Sequence, residues 1–186
     1  MQQEHVQMLI QQMMDDVRLH SNSLQQRPFA LVLIGLPGSG KTTFAKQVFG
    51  DNWYKQAVVS SDHILETYAQ KMNMTYNDVF ETYIKQATHH MHEKLNELTK
   101  RNHMVIWDQT NVSDKKQRKI VKQLPDHYFK IAMVFDKDPH TIEKNMKQRK
   151  AVTGKTIPTH AIEQMKQSFT HPVPGLFDMV TVVDSQ

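Results

Sequence analysis

Residues 35–42 read Gly35-Leu36-Pro37-Gly38-Ser39-Gly40-Lys41-Thr42 and fill every fixed position of a G-x-x-x-x-G-K-S/T phosphate-binding loop. The loop follows the apolar run Ala30 to Ile34. A buried strand is therefore expected to run into a glycine-rich turn, with a helix starting near Lys41. Backbone N–H groups of such a turn, together with the positive end of the helix dipole, cradle a β-phosphate. Lys41 would reach the β- and γ-oxygens, and the Thr42 hydroxyl would bind Mg²⁺. The expected nucleotide-binding residues are Gly35, Pro37, Gly38, Ser39, Gly40, Lys41, Thr42 and Thr43, and the expected ligand is a nucleoside triphosphate. The chain has no Asn-Lys-x-Asp guanine-reading motif, which argues for ATP or a promiscuous nucleotide site.

Phosphoryl transfer needs positioning, Mg²⁺, charge neutralisation and often a carboxylate that takes the acceptor's proton. Asp62, after the short apolar run Ala57-Val58-Val59, is placed for that last role; it is equally placed to cap a helix beginning at His63. Asp108 ends the run Met104-Val105-Ile106-Trp107. It could hold a water on Mg²⁺ or orient the acceptor or the loop; alternatively, with Asn111, it satisfies the backbone of the turn. Arg149 ends a basic segment just before Thr153-Gly154-Lys155, a pattern that suits a mobile lid closing on the triphosphate and also fits a solvated basic face. The run Lys115-Lys116-Gln117-Arg118-Lys119 could touch a nucleic-acid backbone, although a charged helix face is more often simply solvated. His89, His90 and His92 lack metal-ligand spacing and read as helix surface.

The elements that must position these residues alternate. An amphipathic helix is expected over residues 4–19, then a break at 21–28 and the first strand. The loop helix should run from Lys41 to Val48 and stop at Gly50-Asp51-Asn52. A long helix is expected from Tyr76 to Lys100, with Val79, Tyr83, Ala87, Met91 and Leu95 as its stripe. Ser113 should cap a helix that ends before Pro125, and Tyr128 to Phe135 reads as a strand. Asp138-Pro139 opens a helix to about Arg149, a basic loop covers 151–157, another helix runs from Pro158-Thr159 to Phe169, and a last strand covers 178–183. This alternation predicts an α/β fold, a mostly parallel sheet sandwiched by helices. In such sheets ligands sit outside the carboxyl ends of the strands, so the loop, Asp62 and Asp108 should converge on one cleft.

Composition sets bounds. The 186 residues suit one domain, here 28–186, with the N-terminal helix of 1–27 appended to it as a possible oligomer contact. No run of 18 apolar residues occurs, so no membrane span is expected. The absence of cysteine removes disulfides, thiolate metal sites and thiol nucleophiles, with a cytoplasmic location as the default expectation. The net charge of +4 permits a polyanionic partner without demanding one. Only five arginines are present, so few side chains can make bidentate phosphate clamps. The twelve methionines read as core filler.

From Phe29 to Phe169 the chain resembles the kinase domain of polynucleotide 5′-hydroxyl kinases, of bacteriophage and bacterial repair types. The resemblance rests on Gly35 to Ala45, on Val59-Ser60-Ser61-Asp62, on Val105-Ile106-Trp107-Asp108-Gln109-Thr110-Asn111-Val112, and on Val134-Phe135-Asp136 with the Asn145 to Arg149 segment. It implies a P-loop kinase fold with a basic lid. It implies ATP and Mg²⁺ as cofactors, Asp62 as general base, Lys41 and Thr42 at the γ-phosphate and Mg²⁺, Arg149 as lid arginine and Asp108 as the aspartate of the Asp-x-Thr-Asn turn. The chain departs at Leu65, where these kinases carry an arginine for the acceptor's 3′-phosphate. The expectation is an ATP-dependent phosphotransferase with an alcohol acceptor on a nucleic acid or nucleotide. The alternatives are a kinase of 5-hydroxymethyluracil bases in phage DNA, a small-molecule kinase, and a nucleotide-dependent binding module.

Overall fold

Strands joined through helices pair in parallel and are covered on both faces, so they read as unbroken apolar runs. The computed structural model describes residues 27–183, and β1 (Phe29–Gly35) illustrates the rule, with Ala30 to Ile34 fully buried. The helix expected over 4–19 lies outside the described residues. After the phosphate-binding loop come α1 (Lys41–Ala57), β2 (Val58–Val59), α2 (Ser61–Met72), α3 (Tyr76–Lys100) and β3 (Val105–Asp108). Then follow α4 (Asp114–Gln123), β4 (Phe129–Phe135), α5 (Pro139–Thr153), α6 (Thr159–Gln167) and β5 (Met179–Val182). The expected stop at Gly50 is a kink inside α1, after which the helix resumes to Ala57.

The five strands form one parallel sheet in the order β2-β3-β1-β4-β5. β1 is central, with β3 on one side and β4 on the other, so the chain reverses direction across the sheet at the carboxyl end of β1. Ligands bind at such a switch point. The register sets Leu33 beside both Asp108 and Met133, which brings Asp108 level with the start of the phosphate-binding loop.

Alternate residues of the strands feed two cores. Ala30, Val32 and Ile34 face Met91, Leu95 and Leu98 of α3 and Ile120 of α4, while Leu31 and Leu33 face Phe44, Ala45 and Tyr54 of α1. A smaller cluster of Leu65, Tyr76, Val79 and Ala87 joins α2 to α3. This last cluster matters for the site, because it fixes the helix that carries Asp62 against the helix that carries Tyr76. Met91 and Met133 are core residues, whereas Met72 and Met74, at the turn between α2 and α3, are exposed; the reading of the methionines as core filler holds for only part of them. Among the described residues no helix is long and apolar enough to cross a membrane.

Candidate active site

The phosphate-binding loop takes the backbone that its glycines permit. Gly38 and Gly40 sit at φ 82° and 93°, the left-handed region where a side chain is strained. No side chain caps α1 behind Gly40, so the first-turn N–H groups face the loop. Lys41 is buried, and its ammonium donates to the carbonyls of Gly35 and Leu36, both at 2.8 Å, and to Ser39 Oγ at 3.2 Å. Here the lysine rests on its own loop. Burial pushes its pKa down to about 8; Arg149 and Lys155 add to the shift, and Asp108 and Asp62 oppose it. These same four charges mark Lys41 as the centre of the cluster. Thr43 is exposed, while Pro37 and Ser39 are buried.

Asp108 and Asn111, both placed by the turn after β3, divide their work. Asp108 Oδ2 accepts from the Thr42 hydroxyl and from the Tyr54 hydroxyl, each at 2.6 Å. Asn111, at φ 51° and fully buried, donates from its side-chain amide to the Leu33 carbonyl at 2.8 Å, while the Gly35 N–H bonds the Thr110 carbonyl at 2.9 Å. The turn therefore staples the end of β1 through Asn111 and Thr110, leaving the Asp108 carboxylate facing the loop. Thr42 and Asp108 together supply a hydroxyl and a carboxylate oxygen, the hard donors that Mg²⁺ prefers; it takes one or two protein ligands and fills its octahedron with water and substrate phosphate. Among the described residues no group of three or more His, Asp or Glu side chains could hold a metal by itself.

Replacing Asn111 by Ala is expected to destabilise the fold by about 2–4 kcal/mol, from an unpaired buried carbonyl and a non-glycine, non-Asn residue held in left-handed backbone. Chemical denaturation checks this, and an unchanged midpoint would contradict the stapling role.

Asp62 is half exposed and does not cap α2. That cap is Ser60, whose hydroxyl accepts from the His63 N–H at 3.3 Å. The carboxylate is instead shared between two donors, the Tyr76 hydroxyl on Oδ1 and the Lys155 ammonium on Oδ2, each at 2.6 Å. Desolvation would raise its pKa, but the charge and hydrogen bond of Lys155, the Tyr76 hydrogen bond and the Arg149 charge outweigh it and hold Asp62 below the usual carboxylate range.

The segment expected to act as a lid is docked on the loop. Asn145 donates to the Gly38 carbonyl at 2.8 Å, and a Cβ on Gly38 would meet the Ile142 carbonyl and Met146 at 2.9 Å. Gly38 therefore serves a second purpose, close approach to α5. Arg149, one turn further, donates to Glu66 at 2.7 Å. α5 continues past the expected end at Arg149 to Thr153, and Lys155 beyond it is buried rather than part of an open mobile stretch.

Lys41, Thr42, Asp108, Asp62 and Arg149 are thus brought to one end of the sheet. Leu65 is not: it is fully buried in the α2–α3 cluster, so it lines no acceptor pocket. Lys115, Lys116, Arg118 and Lys119 are solvent-exposed on α4, with Arg118 tied to Asp114 at 2.9 Å, while Gln117 turns inward. Sequence reasoning missed Tyr54, Tyr76, Glu66, Asn145 and Lys155. Tyr76 was visible only as the start of a helix, and Lys155 only as one cation in a basic loop.

A family profile described as an AAA domain matches residues 31–172. The fold is similar to that of a candidate kinase from Chloroflexus aurantiacus J-10-fl, at 15% identity over 86% of each chain and a TM-score of 0.62. It is also similar to a structure from the PezAT chromosomal toxin–antitoxin system of Streptococcus pneumoniae, at 15% identity, covering 84% of this chain and 67% of the other, with a TM-score of 0.54. A gluconokinase from Sinorhizobium meliloti 1021 matches at 12% identity over 86% and 85% of the two chains, with a TM-score of 0.46.

Proposed function

This chain belongs to the AAA domain family, a P-loop kinase-like family, and its function is of the P-loop NTPase and kinase type; on that premise we propose that it transfers the γ-phosphate of ATP to a hydroxyl of a nucleic acid or nucleotide. The observation that carries this reading is the Asp62 carboxylate. It is relieved of capping by Ser60, is kept ionised by Lys155, Tyr76 and Arg149, and lies within the field of the phosphate-loop lysine. A carboxylate so placed has a use in transfer to an alcohol.

Asp62 accepts the proton of the acceptor hydroxyl while that oxygen forms its bond to the γ-phosphorus, and the bond to the β–γ bridging oxygen breaks to leave ADP. The proton affinity of Asp62 is low, which suits a loose transition state in which the proton moves late and the carboxylate chiefly orients the hydroxyl. Lys41 turns from the Gly35 and Leu36 carbonyls to the phosphate oxygens. Arg149 exchanges Glu66 for the transferring phosphoryl group. Thr42 and Asp108 would hold Mg²⁺, which when bound neutralises charge on the β- and γ-oxygens. Tyr54 fixes the Asp108 carboxylate for that purpose.

Leu65 favours a second reading within the kinases. With a core leucine where end-kinases carry their 3′-phosphate arginine, the acceptor can be a hydroxymethyl group of a modified base within duplex DNA, or a small metabolite. Transfer of labelled γ-phosphate from ATP to a panel tests these. The panel holds 5′-hydroxyl DNA and RNA, duplex DNA containing 5-hydroxymethyluracil, free nucleosides and sugar acids. Label on either nucleic acid supports the proposal and decides between end and base. Label on a small molecule alone moves the acceptor class. ATP hydrolysis with no labelled acceptor would overturn the kinase reading in favour of a nucleotide-dependent binding module.

A further inference from the structure

Lys155 stands in the loop between α5 and α6, yet its side chain is only 4% exposed. Burying an ammonium is costly unless its partners are fixed. Here they are Asp62 Oδ2 at 2.6 Å, Glu66 Oε1 at 3.6 Å and the face of the Tyr76 ring, 3.8 Å from its centroid. The loop is built to deliver this group. Gly154, at φ 70°, closes α5 with its N–H on the Lys150 carbonyl at 2.9 Å and turns the chain inward. From α3, Asn77 pins the next residue, donating from its amide to the Thr156 hydroxyl and accepting from the Thr156 N–H.

The consequence falls on Asp62. Tyr76 occupies one lone pair of Oδ1 and Lys155 one lone pair of Oδ2, so two donors from two different elements define the plane of the carboxylate. Each oxygen retains a lone pair for an incoming hydroxyl. We propose that Lys155 is a positioning residue for phosphoryl transfer: docked with its loop, it fixes the rotation of the Asp62 carboxylate that receives the acceptor's proton, so that docking of the 154–158 loop and assembly of the acceptor site are one event. The inference rests on the reading of Asp62 as proton acceptor. The groups facing Asp62 are Lys155 from the loop, Tyr76 from α3, Arg149 from α5 and Lys41 from α1, with Glu66 beside it on α2.

The test uses the full chain with Lys155→Met, Lys155→Arg, Asn77→Ala and Asp62→Asn. It measures kcat with the acceptor identified in the labelling panel, ATP affinity, the pH dependence of kcat, and the carboxyl ¹³C titration of Asp62, assigned by its loss in Asp62→Asn. Lys155→Met is expected to lower kcat by about 10–100-fold, the scale of a misplaced reacting group, with ATP affinity intact. The acid limb of kcat and the Asp62 titration should both move up by about one pH unit or more, the effect of removing an adjacent opposite charge. Lys155→Arg should restore most of both. Asn77→Ala, which loosens the loop without touching Asp62, should move kcat in the same direction by less. An inactive Asp62→Asn beside a Lys155→Met enzyme with wild-type kcat and acid limb would overturn the proposal and leave the role of Asp62 standing. Full turnover in Asp62→Asn would sink both. An unshifted Asp62 titration in Lys155→Met overturns it without any activity measurement; should that variant not fold, wild-type kcat and acid limb in Asn77→Ala do the same.

Discussion

Asp62→Ala is expected to lower phosphoryl transfer by about 10²–10⁴-fold, the range over which a positioned proton acceptor contributes, while leaving ATP binding near that of the unaltered protein. The separation follows from the geometry. Asp62 bonds Tyr76 and Lys155 and makes no hydrogen bond to the phosphate-binding loop, whose own donors are Lys41, the loop N–H groups and Thr42. Single-turnover transfer alongside nucleotide titration checks both halves, and near-normal turnover would remove the proton-acceptor assignment. The pH dependence has a defined sign. The folded-state pKa of Asp62 is lowered, so its ion pair stabilises the fold at pH above the ordinary carboxylate range and that contribution is lost as pH falls through the lowered value. The stability difference between the unaltered protein and Asp62→Asn should therefore be full at neutral pH and vanish in acid.

Lys41→Ala is expected to cost about 10²–10³-fold in transfer, the effect of removing one preorganised donor from the site of developing charge. Here nucleotide affinity should fall as well. The fold should not suffer, because Lys41 is held at the expense of its own desolvation: its pKa is pushed down to about 8 by burial. Full activity in the variant would overturn the reading of the loop as a phosphate site. The same burial makes a second, independent prediction. Phosphate oxygens restore the ammonium, so between about pH 8 and the higher pKa of the bound state, nucleotide binding takes up a proton and weakens as pH rises. Titration calorimetry in two buffers of different ionisation heat, at pH about 8.5, measures that uptake. It should disappear in Lys41→Ala, and its absence from the unaltered protein would contradict the buried, neutral-leaning lysine.

The phosphate-binding loop was readable because its chemistry is local. Eight consecutive residues supply the glycines, the lysine and the hydroxyl, and the apolar run before them announces the strand that aims the loop. The alternation of strands and helices was readable for a similar reason, since unbroken apolar runs and the caps Ser113 and Asp138 mark their own boundaries. Topology alone puts the strand ends on one side of the sheet, and Asp62 and Asp108 both stand at such ends beside the loop. The Gly50 kink reads as a stop in sequence, because a glycine that interrupts a helix and one that ends it present the same residue.

What the sequence by itself determined is therefore the phosphate-binding loop of the candidate site, which lies in contiguous backbone and follows a strand end. Only the tertiary structure decided the surroundings of Asp62. Whether Asp62 caps a helix or offers a carboxylate turned on Ser60 taking the cap. Whether Leu65 lines a pocket turned on the packing of α2 against α3. Lys155 meets Asp62 across 93 positions of sequence and Asn145 meets Gly38 across 107. The physical reason is that burial of a charge belongs to the packed chain: a lysine in a basic loop and a lysine held against a carboxylate and an aromatic ring are the same letter until the loop is docked, and only then do desolvation and Coulomb attraction give it a role.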